Sequence, residues 1–187
     1  LRVAYTGEHG REHQHPIEMQ KYIQEILLSS GKEFNLKLVG ARAQNWLRQE
    51  KSYKAFGSDL GRDAGPFESK LSRFVDINKN FLGKDALLKR KTDVSCVTLL
   101  IDGPKDIDPW GREALYNETE EVMLGRLTSA GYSVHFKRSI GIGYVKSSFS
   151  EVGTKLRIKI DDAFWDAEIV RDSPYDPQNE RIIDRVQ

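Results

Sequence analysis

Cysteine is almost absent: Cys96 is the only thiol in 187 residues, so no disulfide can form within the chain. Stability must come from a buried core, and this length suffices for one domain or two small ones without covalent staples. A lone thiol also fits a reducing compartment. No apolar run approaches the roughly 20 residues of a membrane-spanning helix. An excess of one charge is missing as well. The 29 Lys and Arg against 28 Asp and Glu leave a net charge of +1, which removes bulk steering toward nucleic acid or an anionic membrane. With 30% charged and 39% apolar residues, the composition is that of a soluble globular chain, with no repeat and no low-complexity stretch.

The opening, Leu1-Arg2-Val3-Ala4-Tyr5, alternates as a strand does and carries no charged-then-apolar leader. A strand starting at residue one leads to the expectation that the sequence begins inside a domain. Gly7-Glu8-His9-Gly10 is turn chemistry. A helix is predicted from Pro16 to Gly31, with Ile17, Met19, Ile23, Ile26 and Leu27 on one face. A second is predicted from about Leu38 to Lys51, with Ala43, Trp46 and Leu47 inward and Arg42, Arg48, Gln49 and Lys51 outward. Ser58 to Pro66 reads as loop, Phe74 to Ile77 as a short strand, and Gly83 to Lys91 as a two-turn helix. From there the period changes to two. Strands are predicted at Val94–Asp102, Val122–Thr128, Ile140–Val145, Lys155–Ile160 and Trp165–Val170, separated by turn residues, which is the pattern of an all-β sandwich or barrel. The change of period places a domain boundary near residue 92.

Several residue groups carry chemistry on paper. His9, His13 and His15 could ligate a metal, but no carboxylate-and-histidine helix motif accompanies them, so no metal site is assigned. Gly141-Ile142-Gly143 lacks the third glycine and the following helix of a dinucleotide loop. Lys155, Arg157 and Lys159 alternate with Leu156, Ile158 and Ile160, as the wet face of a half-buried strand requires. Cys96 has no base near it in sequence. Glu8, between two glycines, could offer two coplanar oxygens to paired N–H donors of a heterocycle, or simply form a turn. Arg48 could grip a ligand carboxylate or phosphate with its planar fork, or form an ion pair.

Tyr5-Thr6-Gly7-Glu8-His9-Gly10 resembles the Tyr-Thr-Gly-Glu-x-Gly segment of the glycine-cleavage T-protein family. The likeness continues in order. The stretch from Leu47 to Leu60 is similar to the family's Leu-Arg-x-Glu-Lys-x-Tyr-x-x-Trp-Gly-x-Asp-Leu, and Phe81-Leu82-Gly83-Lys84-Asp85-Ala86-Leu87 to its Phe-Ile-Gly-Arg-x-Ala-Leu. Thr128-Ser129-Ala130-Gly131-Tyr132-Ser133 and Ile140–Val145 resemble its C-terminal barrel. The opening and Ser173-Pro174-Tyr175-Asp176-Pro177 look most like the folate domains of dimethylglycine and sarcosine dehydrogenases.

The resemblance implies an α+β chain. Part of a folate-binding domain (residues 1–92) would precede a C-terminal antiparallel β-barrel (93–187), the whole being the C-terminal half of an aminomethyltransferase unit. It implies tetrahydrofolate-dependent one-carbon transfer, with flavin only in an upstream domain. Glu8 matches the residue that recognises the pterin, and Arg48 an arginine near the folate tail. Tyr53 and Phe56 sit in the segment lining the cavity mouth, Phe56 replacing the usual Trp. The family's catalytic aspartate lies in the absent half, and none of Asp59, Asp76 or Asp102 matches it, so no catalytic residue is named. The expected partners are folate and the upstream half of the same polypeptide, not nucleic acid or membrane, and an oligomer is left open. The expected location is the cytoplasm, or the mitochondrial matrix in a eukaryote. Two rival readings stand beside this one: a sulfonium-to-folate methyltransferase relative, and a non-catalytic folate- or partner-binding module.

Overall fold

Alternation of apolar and polar residues closes the second half of the chain into a barrel. The computed structural model describes residues 1, 4–103 and 107–183. Six strands, β1 (Val94–Ile101), β2 (Ala114–Tyr116), β3 (Met123–Ser133), β4 (Arg138–Lys146), β5 (Lys155–Ile160) and β6 (Ala163–Val170), form one closed antiparallel barrel in the order β1-β4-β3-β2-β5-β6. Closure comes from β6 returning to β1, with Thr98 opposite Val170 and Ile101 opposite Ala167. It leaves no free sheet edge. Val97, Leu99, Ile101, Leu115, Leu127, Val145, Leu156, Ile158 and Ile169 fill the interior.

On β5 the pattern is the predicted one, Leu156 and Ile158 buried with Lys155 and Lys159 in solvent. On β1 both faces are buried from Cys96 to Ile101, because residues of the first half cover the outside. Thr98 there meets Ser52, hydroxyl to hydroxyl at 2.7 Å, and the Cys96 amide donates to the Glu68 carbonyl. Gly141-Ile142-Gly143 runs inside β4, buried throughout, and is no loop.

Among its described residues the first half holds three α-helices, α1 (Gln20–Ser30), α2 (Ala41–Glu50) and α3 (Lys84–Lys89). α2 packs across β3 and β4. The apolar face of α1 forms as expected, yet α1 has no buried residue, and Ile17, Phe34, Leu38 and Val39 around it are each more than two-thirds exposed.

Four expectations need correction. The predicted opening strand is not present from Ala4 onward, where the chain turns, with the Gly7 amide bonded to the Ala4 carbonyl; Arg2 and Val3 lie outside the described residues. Phe74–Ile77 is a 3-10 turn running into extended chain, since no neighbouring strand offers it a ladder. β2 was not anticipated, because three residues show no period. Most consequentially, Arg48, Gln49 and Lys51 point inward, at 2%, 0% and 1% exposure.

Candidate functional site

Why so polar a helix end is buried follows from a fault in β3. Leu127 pairs with Gly143 and Ser129 with Ile142, so Thr128 is an extra residue, a β-bulge. Neighbours on a regular strand point to opposite faces; the bulge lets Thr128 and Ser129 point the same way. Both hydroxyls donate to one oxygen of Asp59, each at 2.6 Å. The other oxygen accepts from Arg48 at 2.7 Å and from the Ala55 amide at 2.9 Å. Arg48 further donates to Asn45 Oδ1 and to the Tyr53 carbonyl, both at 2.7 Å. The guanidinium thus ties α2, the Tyr53–Asp59 loop and the barrel wall into one unit. One turn on, Glu50 accepts from the Ser133 hydroxyl and from the His135 amide.

Behind this rivet the Tyr144 hydroxyl donates to the Asp59 carbonyl at 2.9 Å and lies 2.8 Å from Ser69 Oγ. Burial pushes the Tyr144 phenol from its ordinary 10.0 up to about 12, and the Cys96 thiol from 9.0 up to about 12. Raised values mean that the folded state holds these protons more tightly than the unfolded one. The resulting stability is fully present below about pH 9 and is lost as pH climbs toward 12. Lys51, lowered by burial against the pull of Asp176 and Glu8, works in the opposite sense up to its ordinary 10.5. We therefore expect unfolding free energy to fall between pH 10 and pH 12 in urea titrations, with a shallower slope for Tyr144→Phe; an unchanged slope would refute the assignment to Tyr144.

The C-terminal tail straps the end of α2. Ser173 Oγ donates to the Lys51 carbonyl, the Ser173 amide to Ser52 Oγ, and the Tyr175 amide to the Glu50 carbonyl. Lys51 Nζ donates to the Asp176 carbonyl at 2.5 Å and to Asn179 Oδ1 at 2.8 Å. The stem of Lys51 lies against Gly7, where a Cβ would fall 2.3 Å from Lys51 Cγ, so a side chain at position 7 would lift the turn that carries Glu8. Glu8 accepts from the Tyr175 hydroxyl at 2.6 Å.

Lys51 also borders a cleft of about 350 Å³, lined by Tyr53, Lys54, Lys70, Leu71, Arg73 and Phe74 among others. Three of these are cations whose charge only Asp172 offsets within the lining. Tyr53 is half-buried, and burial, opposed by Arg73, raises its phenol above the ordinary value. The site can thus offer a held carboxylate to N–H donors and an aromatic, cationic cleft to an anion.

Of the four residues singled out in the sequence, Arg48 and Tyr53 meet through the Tyr53 carbonyl, and Glu8 is outside the cleft lining, on a turn that rests on the lining residue Lys51. Phe56 stands outside the cleft at 88% exposure. Sequence reasoning missed the roles of Asp59, Lys51 and Tyr175. An Arg and an Asp eleven residues apart, each with one apolar neighbour, Leu47 and Leu60, were the only signal for the first. Among the described residues no group of three or more His, Cys, Asp or Glu is placed to hold a metal, and no helix is long and apolar enough to cross a membrane.

Comparison with known proteins agrees with the fold. Residues 1–79 match the GCVT N-terminal domain, and residues 95–176 the glycine cleavage T-protein C-terminal barrel domain. The mitochondrial dimethylglycine dehydrogenase of Mus musculus is 34% identical over 92% of the chain, which spans 20% of that protein. The aminomethyltransferase of Caldanaerobacter subterraneus is 32% identical over 85% of the chain, which spans 42% of it. The crystal structure of aminomethyltransferase T from Bartonella henselae superposes with a TM-score of 0.81 at 23% identity, over 94% of this chain and 49% of that one, a likeness of fold. The chain therefore spans a fifth to a half of the length of these relatives.

Proposed function

The chain belongs to the glycine-cleavage T-protein family, and from that premise we propose that it forms the folate-holding side of a tetrahydrofolate-dependent one-carbon transfer unit, in an enzyme of the dimethylglycine or sarcosine dehydrogenase kind. The observation that supports this most is the pairing of a held carboxylate, Glu8, with the aromatic, cationic cleft that Lys51 borders. Folate has matching ends, an N–H edge on the pterin and carboxylates on the tail.

In this reading Glu8 accepts from the pterin edge, Tyr53 gives the middle of the molecule an aromatic wall, and Lys54, Lys70 and Arg73 draw in the tail. Phe56, exposed outside the cleft, would add stacking area at its mouth. Arg48 has a different part from the one the resemblance implies. Its fork is spent on Asp59, Asn45 and Tyr53, so it supports the cleft loop rather than touching ligand. Bound tetrahydrofolate would supply N5, the nucleophile that takes up the one-carbon unit. No residue of this chain is assigned the proton transfer.

Residues 1–92 would contribute to the folate domain and 93–187 form the barrel. A further part of the unit would cover the exposed apolar side of α1 and complete the cavity, and flavin would bind elsewhere in the polypeptide. The mitochondrial relatives suggest the matrix as the location in a eukaryote and the cytoplasm otherwise.

Calorimetric titration with 5-formyltetrahydrofolate, a stable reduced folate, tests the reading. Wild type should bind, and Glu8→Gln should weaken binding about tenfold or more, the loss of one charge-assisted contact. Neutralising Lys70 and Arg73 together should weaken it by a similar factor and remove its salt dependence. No binding by wild type would reject folate binding for this chain.

A further inference from the structure

Tyr175 is held at several points. Its amide is bonded to the Glu50 carbonyl, its ring stands edge-on to His135 at 4.7 Å, and Ser173 and Asp176 on either side adopt left-handed backbone with φ of 52° and 43°. Asp176 is in turn fixed by the amides of Glu180 and Arg181 and by Lys51. All this delivers one group outside the tail, the phenol hydroxyl that donates to Glu8 at 2.6 Å. A carboxylate on a glycine turn is otherwise a free rotor, and ordering it on binding would cost affinity.

We propose that Tyr175 is a positioning residue: carried on the strap that spans the end of α2, its hydroxyl fixes the orientation of the Glu8 carboxylate before ligand arrives. This rests on the folate reading of Glu8 above. The bond occupies one lone pair of one carboxylate oxygen, leaving acceptor capacity for paired N–H donors. The same strap holds Lys51, against whose stem the Glu8 turn is seated, so the tail sets both the height of the turn and the rotation of its carboxylate. The ligand class implied is one with adjacent N–H donors on a planar edge, read by an acceptor that does not have to be ordered on binding.

A spectroscopic signature separates this from a merely structural contact. The bond to Glu8, with burial, raises the Tyr175 phenol above the ordinary tyrosine value, while Arg181 opposes and Asp176 adds to it. In the full chain labelled with ¹³C at tyrosine Cζ, Glu8→Gln should bring the Tyr175 titration down. In calorimetry, Tyr175→Phe, which keeps the ring against His135, should weaken binding of 5-formyltetrahydrofolate by about fivefold or more with an unchanged circular dichroism spectrum. A Tyr175 titration indifferent to Glu8→Gln, or wild-type affinity in Tyr175→Phe, would overturn the positioning role while leaving the folate reading intact. Absence of binding by wild type would instead reject the folate reading, and the positioning role with it.

Discussion

Asp59→Ala is expected to destabilise the protein by about 3–5 kcal/mol, the range for removing one member of a buried ion pair. Side-chain exposure is 2% for Arg48 and 0% for Asp59, so water cannot replace the lost partner. The substitution strands a guanidinium and orphans the Ser129 hydroxyl and the Ala55 amide, while the Thr128 hydroxyl keeps only its bond to the Ile142 carbonyl at 3.1 Å. The penalty is one of uncompensated burial and not the net worth of the pair, so the double replacement Arg48→Met with Asp59→Leu should recover part of it. Urea unfolding of the two variants and wild type measures the difference. A double variant no more stable than Asp59→Ala would refute this account.

Gly111→Ala should cost about 3 kcal/mol or more, because two independent penalties meet there. Its φ of +91° lies where L-residues are strained, and an added Cβ would fall 2.4 Å from Ser129 Cα and 2.6 Å from Ser129 N, atoms of the β3 backbone that have no rotamer to move. The neighbouring amides of Trp110, Gly111 and Arg112 all donate to the Glu113 carboxylate, which holds the loop against β3. Relief would have to come from Ser129, a residue that closes the Asp59 rivet. The two sites are therefore coupled: in a Gly111→Ala, Asp59→Ala double variant the losses should sum to less than the separate costs. Strict additivity by urea unfolding would show that the bulge and the rivet are independent.

How much of this could be read beforehand depended on whether a pattern was long enough to show its period. β5 was predicted at its observed bounds, since six alternating residues leave no other reading. β2, with Ala114, Leu115 and Tyr116, has no period to find; Leu115 is a strand residue because Gly125 and Ile158 pair with it on either side. Phe74–Ile77 shows the reverse case, with strand-forming residues and no partner strand.

The family and its barrel were legible because ordered motifs and alternating strands are properties of the chain itself. So was the choice of Glu8 and Arg48 as residues to explain. Their roles were not. By helical period the Arg48, Gln49 and Lys51 side chains belong in water, yet all three are buried: Arg48 meets Asp59, toward which the bulge at Thr128 turns two hydroxyls, and Lys51 is held by Asp176 and Asn179 of the strap. The partner of Glu8 is 167 residues away, brought to it by a strap anchored on Lys51. Local pattern determined the longer strands and helices, and where charge would be available. Only the tertiary structure decided which charges were spent on the fold and which stayed exposed, because that division depends on contacts between segments that no local period records.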